Sequence, residues 1–375
     1  MSLHVMHLLP GLKVGGAETM MAKLAAGTRH RVTVVSLAGV DEVGELLRSR
    51  GTPVRALDMR PGRVSPPAFG RLLALMRELR PDVVQTWMYH ADLLGGMAAR
   101  MNGIPVAWNL RRSTPYTGGV KLSTRLVVRA CSVGSRWIPA RIVSCSRAGG
   151  AAHAALGYAA AKITVIPNGF DTHGFRPDPA ARAVLRAEWG VDDDAPLLGT
   201  VARFDAAKDH RTLLRALAHA RARVPALRLV LAGRGMTAGN PVLAEWLDES
   251  GVRDACILLG QRNDAARINA ALDGACLSSV SEGFSNSIGE AMSCGVPCVV
   301  TDVGDSAWIV GSTGLVVPPR DPGALGEAMA SLAEHSAPAR RALGDAARAR
   351  ILRDFSLPAV VERYDALHEQ LAASR

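Results

Sequence analysis

The stretch that decides the fold is SSVSEGFSNSIGEAMSCGVPCVVTDVG, residues 278–304. It closes a strand over 277–280, turns through a polar loop with Gly283, Ser285, Asn286 and Ser287, and enters a short helix over 288–294. Gly295 stops that helix, Pro297 keeps it from resuming, and 297–301 reads as the next strand. Two carboxylates frame the loop: Glu282 at the strand end and Glu290 in the first turn of the helix. Ligands of open α/β sheets bind at the carboxyl ends of strands. A helix start offers unpaired N–H groups and a partial positive charge, worth about 0.3–1 kcal/mol to an anion. Carboxylates beside it accept hydrogen bonds from hydroxyls, so the stretch suits a ligand that carries both phosphate and diols. Ser287-x-x-Glu290 also fits a capping box, which needs no ligand. That alternative leaves Glu282 unexplained.

Working outward, GTVARFDAAKDHRTLLRA repeats the theme. An apolar strand over 196–202 ends at Arg203 and Lys208, and a helix follows over 210–222. Two cations at a strand end, beside a helix start, suit a diphosphate. Strands over 227–232 and 256–259 follow, the second leading into Gly260, Gln261 and Arg262. Asp192, Asp193 and Asp194 precede a strand instead of ending one, so they read as a solvated loop and not as a metal site.

The N-terminal half has the same alternation of short apolar strands and helices. A first strand over 5–9 leads into PGLKVGGAE and a helix over 19–26. Gly15 and Gly16 allow close backbone approach to a ligand, although the spacing is not GxGxxG. After a strand over 82–86 comes Trp87-x-x-His90-x-Asp92, in front of a helix. Asp92 is expected to cap that helix. His90 is either incidental or a contact for a bound hydroxyl. Arg111, Arg112 and Ser113 follow the strand over 106–110, and paired arginines suit an anionic acceptor or a plain surface. The βαβα pattern implies parallel sheets covered on both faces.

Composition narrows the class. The 375 residues suffice for two domains, and 48% hydrophobic content with 37 glycines and 21 prolines fits a globular α/β chain. The net charge of +10 is unevenly spread. Residues 1–175 hold 22 Lys/Arg against 9 Asp/Glu, and residues 176–375 hold 22 against 25, so +13 and −3. A basic first half attracts an anionic membrane surface or a phosphorylated acceptor. At 4% aromatic residues and without a recognition motif, nucleic acid is not the expected partner. Six cysteines without a CxxC pair read as buried thiols of a reducing compartment. No apolar run reaches membrane-spanning length and the first residues do not read as a signal peptide, so the expected location is cytoplasmic, peripheral at most on the inner face of the plasma membrane.

The Glu282-x7-Glu290 pair, GTVARFDAAK, GGAE, IPNGFD and GLVVPP together resemble the retaining glycosyltransferases of family 4, which have the GT-B fold. The resemblance is strong over 163–320, moderate at GGAE and weak over 40–160. It implies two Rossmann-like doubly wound domains facing a central cleft. The expected boundaries are an acceptor domain over 1–175 with a crossover helix over 356–375, a linker over 176–195 and a donor domain over 196–355. It further implies that Glu282 and His90 contact the donor sugar or the acceptor, and that Arg203 and Lys208 clamp the leaving diphosphate. Gly15, Gly16, Asn286, Ser287 and Ile288 supply amides, the segment at Arg262 meets the base, and Glu290 holds the ribose. The implied activity is metal-independent transfer, with retention, from a nucleotide sugar to a glycan or lipid-linked acceptor. The implied setting is cell-envelope or exopolysaccharide assembly. No cofactor is expected beyond the donor itself, a UDP-sugar by preference. A histidine-glycine pair common in relatives is replaced here by Arg111 and Arg112. An epimerase of the same fold and a non-catalytic nucleotide-sugar binder are the alternatives. Donor turnover without acceptor marks the first, and binding without transfer marks the second.

Overall fold

The structure is a computed structural model that describes residues 2–59, 66–111 and 121–374. The chain divides into two compact units, Met1–Gly169 with Leu357–Arg375, and Phe170–Ser356.

The first unit is built on a seven-stranded parallel sheet. Its strands are β1 (His4–Leu9), β2 (Arg31–Ser36), β3 (Val54–Ala56), β4 (Val83–Thr86), β5 (Val106–Leu110), β6 (Arg141–Ser144) and β7 (Ile163–Val165), in the order β3-β2-β1-β4-β5-β6-β7. Every residue of β1, β4 and β5 is buried, as a sheet covered by helices on both faces requires. The order reverses direction between β1 and β4, and that switch point is where a doubly wound sheet opens a crevice at its carboxyl edge. The last helix, Leu357–Ala373, belongs to this unit. It buries Val360, Val361, Tyr364 and Leu371 in one core with Leu24 and Val32. Its Asp365 accepts a hydrogen bond from Thr28 Oγ1 at 2.5 Å.

The second unit repeats the plan with six strands: β8 (Leu197–Val201), β9 (Arg228–Ala232), β10 (Cys256–Gly260), β11 (Gly274–Leu277), β12 (Cys298–Thr301) and β13 (Leu315–Val317). They lie in the order β10-β9-β8-β11-β12-β13, so the switch point falls between β8 and β11. Residues 176–195, expected as a linker, are part of this unit. The Pro179–Glu188 helix packs on it, and Arg186 is fully buried. Arg186 Nη2 donates to Asp192 O at 2.6 Å and Ala195 O at 2.5 Å, and Nη1 to Asp273 Oδ2 at 3.2 Å. A buried guanidinium needs those partners, and a free linker cannot supply them. The aspartates at 192–194 therefore form a tied turn: Asp193 keeps its side chain in solvent while its backbone serves Arg186.

Candidate active site

The switch point of the second sheet gathers the residues that the sequence singled out. Beyond the short pairing of β8 with β11, the loops that leave the two strands bond to each other. Val280 N donates to Ala207 O at 2.9 Å, and Ser278 Oγ to Lys208 O at 2.7 Å. This stitching brings Lys208 to Glu282, and Lys208 Nζ forms a salt bridge with Glu282 Oε1. The same oxygen accepts a bond from Ser279 Oγ at 2.6 Å. The pair is mostly enclosed, with 18% and 11% of the two side chains exposed, so its charges interact more strongly than at a free surface.

Glu282 is also fixed through its backbone. Thr301 Oγ1 donates to Ser279 O at 2.6 Å, and Asp305 N to Gly283 O at 3.1 Å. Gly304 lies behind this turn at φ +56°, where a Cβ would stand 2.4 Å from Glu282 O. Only glycine meets both demands.

The adjoining helix, Asn286–Ser293, starts from Ser285, whose side chain makes no capping hydrogen bond. No acidic residue stands in its first turn. Ser287 is inside the helix, so the capping box expected from Ser287 and Glu290 does not form, and the amides at Asn286, Ser287 and Ile288 belong to the helix start. Ile288 itself is buried, so it can serve a ligand only through its backbone. Glu290 is half-buried one turn further on. A Cβ on Gly289 would stand 1.9 Å from Phe170 Cζ, so the helix rests directly on that ring. Phe170 stacks on Phe284 at 5.9 Å, which makes the floor beneath the loop rigid.

Arg203 leaves the end of β8 into solvent, with 58% of its side chain exposed and Nε 3.0 Å from Asp205 Oδ2. The Ala207 N–H, and then Arg203, hold the Asp205 carboxyl below its ordinary range. Phe204 N donates to Arg234 O at 2.8 Å, and His210 Nε2 lies 3.1 Å from Arg203 O, so the backbone that carries Arg203 is held from two sides. Arg262 stands apart from the other cations. Asp264 grips it with two bonds of 2.8 and 2.6 Å, and Glu188 adds a third at 3.0 Å. These acids raise its pKa further and leave its charge locally neutralised.

In the first unit, the expected residues lie at the other switch point. Gly15 N-caps the Gly16–Gly27 helix in an extended conformation, without a side-chain cap. Glu18 turns back on this helix start, so that a Cβ on Gly15 would meet Glu18 Oε2 at 2.4 Å. Burial raises the Glu18 pKa, while its own N–H and the Arg111 charge oppose that shift. His90 follows β4 in the Tyr89–Met101 helix, half-buried and without a hydrogen-bond partner among the described residues. Burial lowers its pKa, so it is a neutral imidazole at neutral pH. Met88, which caps this helix, has φ +67° and ψ 154°, a strained backbone for a side-chain-bearing residue.

Asp92 does not cap the helix as expected. It is fully buried and accepts bonds from Thr86 Oγ1 at 2.6 Å and Asn109 N at 3.3 Å, tying β4 to β5. Among the described residues its Oδ2 has no hydrogen-bond partner, and burial pushes its pKa up to about 7. Arg111 lies over the Trp87 ring at 5.3 Å and donates to Asn168 Oδ1 at 2.5 Å. Arg112 and Ser113 lie outside the described residues. Among the described residues no three His, Cys, Asp or Glu side chains converge as metal ligands. The six cysteines are unpaired.

Ser279, Thr301, Gly304 and the strained Met88 were not found by sequence reasoning. Gly304 had a signal, a glycine just past a strand end, but nothing local pairs it with Glu282. The serines carry none, because polar loops are full of them.

Residues 14–173 match the family model described as Glycosyltransferase Family 4, and residues 195–335 match that of Glycosyl transferases group 1. EpsF of Bacillus subtilis (strain 168), provisionally named a glycosyltransferase, is 27% identical over 316 residues, 80% of this chain and 79% of EpsF. The D-inositol 3-phosphate glycosyltransferase of Stackebrandtia nassauensis is 35% identical over 170 residues, 42% of this chain and 37% of that protein. The crystal structure of Anabaena Alr3699/HepE in complex with UDP superposes with a TM-score of 0.85 at 23% identity, covering 99% of this chain and 100% of that one. At that identity the likeness speaks for the fold alone.

Proposed function

The chain belongs to glycosyltransferase family 4, with two parallel-sheet domains of the GT-B type, and we propose that it transfers a hexosyl or related group from a UDP-sugar to an acceptor hydroxyl. The transfer proceeds with retention at the anomeric carbon, without a metal ion, and builds a cell-envelope or exopolysaccharide glycan. The observation that carries this reading is the enclosed Lys208–Glu282 pair beside an uncapped helix start.

The donor diphosphate lies along the start of the Asn286–Ser293 helix, between Lys208 and Arg203. When it binds, Lys208 turns from Glu282 to the phosphates, and Glu282 accepts a hydrogen bond from a sugar hydroxyl. Ser279 keeps the carboxylate in place during that exchange. Glu290 takes the ribose diol. As the bond between the anomeric carbon and the diphosphate oxygen breaks, positive charge grows on the sugar and negative charge on the leaving group. Lys208, Arg203 and the helix amides stabilise the second of these. Because protein cations perform this task, no metal ion is required. The acceptor oxygen attacks from the face the diphosphate is leaving, and its proton passes to a diphosphate oxygen. His90, neutral and without a side-chain partner among the described residues, is suited to a hydroxyl of the sugar or acceptor. Arg262, neutralised by Asp264 and Glu188, is left to meet the base through its backbone. HepE, alike in fold, holds UDP, and uridine is the base in this proposal.

The test is thermal stabilisation by UDP, GDP, ADP and TDP, with and without EDTA, on the wild type and on Glu290→Ala. UDP is expected to raise the melting temperature by mass action, independently of EDTA, and to lose its effect on the variant. Stabilisation by none of the four, or only with added metal, overturns the donor site. Hydrolysis or epimerisation of donor with no acceptor dependence overturns the transfer.

A further inference from the structure

The Leu122–Gly134 helix of the first unit carries an apolar stripe that the described residues of that unit leave exposed. Leu122, Leu126 and Val133, with Trp137 just beyond the helix end, expose between 53% and 72% of their surface. At 3.6 residues per turn the three helical positions fall within about 40° of one another. Lys121, Arg125 and Arg129 stand along one flank of the stripe. Val128 and Cys131 hold the opposite face in the core.

The stretch of chain that carries this helix has charge of one sign. Between Asp92 and Asp171 the sequence contains ten Lys and Arg and not one Asp or Glu. At the Trp137 end, Arg100 and Lys162 line a groove of about 330 Å³ together with Trp137 and Ile138. Lys162 Nζ donates to the carbonyls of Arg136 at 2.7 Å and Pro139 at 2.8 Å, and among the described residues it forms no ion pair with an acid. Burial and the neighbouring Arg100 and Arg141 charges lower its pKa, the state of a cationic cluster without a counterion.

We propose that this face docks the protein on an anionic bilayer. Leu122, Leu126, Val133 and Trp137 enter the boundary between headgroups and acyl chains, and Arg125, Arg129 and the groove cations contact lipid phosphates. A basic helix with a separate apolar face is the form that lies in a membrane interface. A second copy of the chain is a poor occupant, because a twofold contact would press two acid-free basic faces together. Nucleic acid would satisfy the arginines but leave the leucines in water. The docking face stands without the glycosyltransfer reading. It rests on that reading only for its use, which is to present a lipid-linked acceptor.

The experiment is co-sedimentation with phosphatidylcholine vesicles, with and without phosphatidylglycerol, at low and high salt. The wild type is expected to bind only the anionic vesicles. Leu122→Ser/Leu126→Ser/Trp137→Ser should weaken binding at least about tenfold at every salt concentration. Arg125→Glu/Arg129→Glu should weaken it by about fivefold or more per arginine, and only at low salt. Brominated acyl chains should quench a fluorescence component that Trp137→Phe removes. No binding to anionic vesicles, or binding that neither variant changes, overturns the proposal. So does a self-association of the wild type that the apolar variant abolishes while vesicle binding persists. The UDP-induced rise in melting temperature serves as the fold control for each variant. Loss of that rise with vesicle binding intact would strike the donor site alone.

Discussion

Two helix starts, one in each unit, each follow a strand that borders a switch point, and they are finished differently. Both follow a strand at a switch point, and both begin without a side-chain cap from the N-cap residue. At the Gly16–Gly27 helix the chain supplies its own anion: Glu18 folds back over Gly15. At the Asn286–Ser293 helix there is no acid in the first turn, and Lys208 is held nearby by Glu282. The first start is already compensated by a carboxylate. The second has no such carboxylate, and in the proposed mechanism its partial charge serves the donor diphosphate. A helix N-terminus is therefore not a phosphate site by itself, and the neighbouring charges decide which of two similar turns can act as one.

The largest test of this difference is Lys208→Ala. Losing a cation aimed at the developing charge should cost about 10²–10³ in transfer rate, read as kcat with a UDP-sugar donor. Glu18→Gln measured alongside should leave that rate nearly unchanged. A Lys208→Ala enzyme of full activity would erase the contrast between the two ends.

The next effect belongs to Asp92, a first-turn carboxylate of the Tyr89–Met101 helix. Its folded pKa of about 7 lies above the ordinary 3.8, so the native state holds the proton more tightly than the unfolded chain. Stability is then full below the ordinary carboxyl range and falls as pH rises through 7, the reverse of a salt-bridged aspartate. Between pH 5 and pH 7 the loss should be about 2 kcal/mol. Urea melts across that range should show it, and Asp92→Asn should flatten it. A wild type equally stable at both pH values would show that Asp92 ionises without strain.

Gly304→Ala should come close behind. At φ +56° and 2.4 Å from Glu282 O, the new methyl has to displace the turn that carries Glu282, at about 1–3 kcal/mol. Differential scanning calorimetry should find the second unit melting several degrees lower, with activity reduced although the residue touches no ligand in the proposed mechanism. The smallest effect sharpens the comparison most directly. Glu18→Gln should change stability by no more than about 1 kcal/mol, but inorganic phosphate should begin to raise the variant's melting temperature where it leaves the wild type unmoved.

Much of the second unit's site was legible in the sequence because its parts are local. Glu282 and Glu290 flank one loop, and Arg203 and Lys208 flank another, so strand ends and helix starts could be read within a dozen residues. The fine structure was not legible, for reasons that are physical. Ser287-x-x-Glu290 reads as a capping box only if the helix starts at 288, yet it starts at Asn286, and two residues of difference remove the cap. Arg262 lies in a segment read as meeting the base, but the grip of Asp264 and Glu188 on its side chain was not legible, because Glu188 comes from a distant helix. Asp92 reads as a cap, but its carboxyl turns inward to Thr86 and the Asn109 amide. Residues 176–195, read as a linker, fall within the second unit for a similar reason, since the burial of Arg186 depends on Asp273, 87 positions along the chain.

The sequence by itself determined the alternation of strands and helices, the parallel sheets that alternation requires, and which short segments end in charge. Those follow from apolar periodicity and from glycine, proline and carboxylate positions, which act over a few residues. Tertiary structure decided which charges meet. Strand order put β8 beside β11 and so joined Lys208 to Glu282, 74 positions apart in the chain. It set Gly304 against the Glu282 backbone and Glu18 over Gly15. Electrostatics and close packing depend on distance in space, and that distance is fixed only when the sheet is ordered.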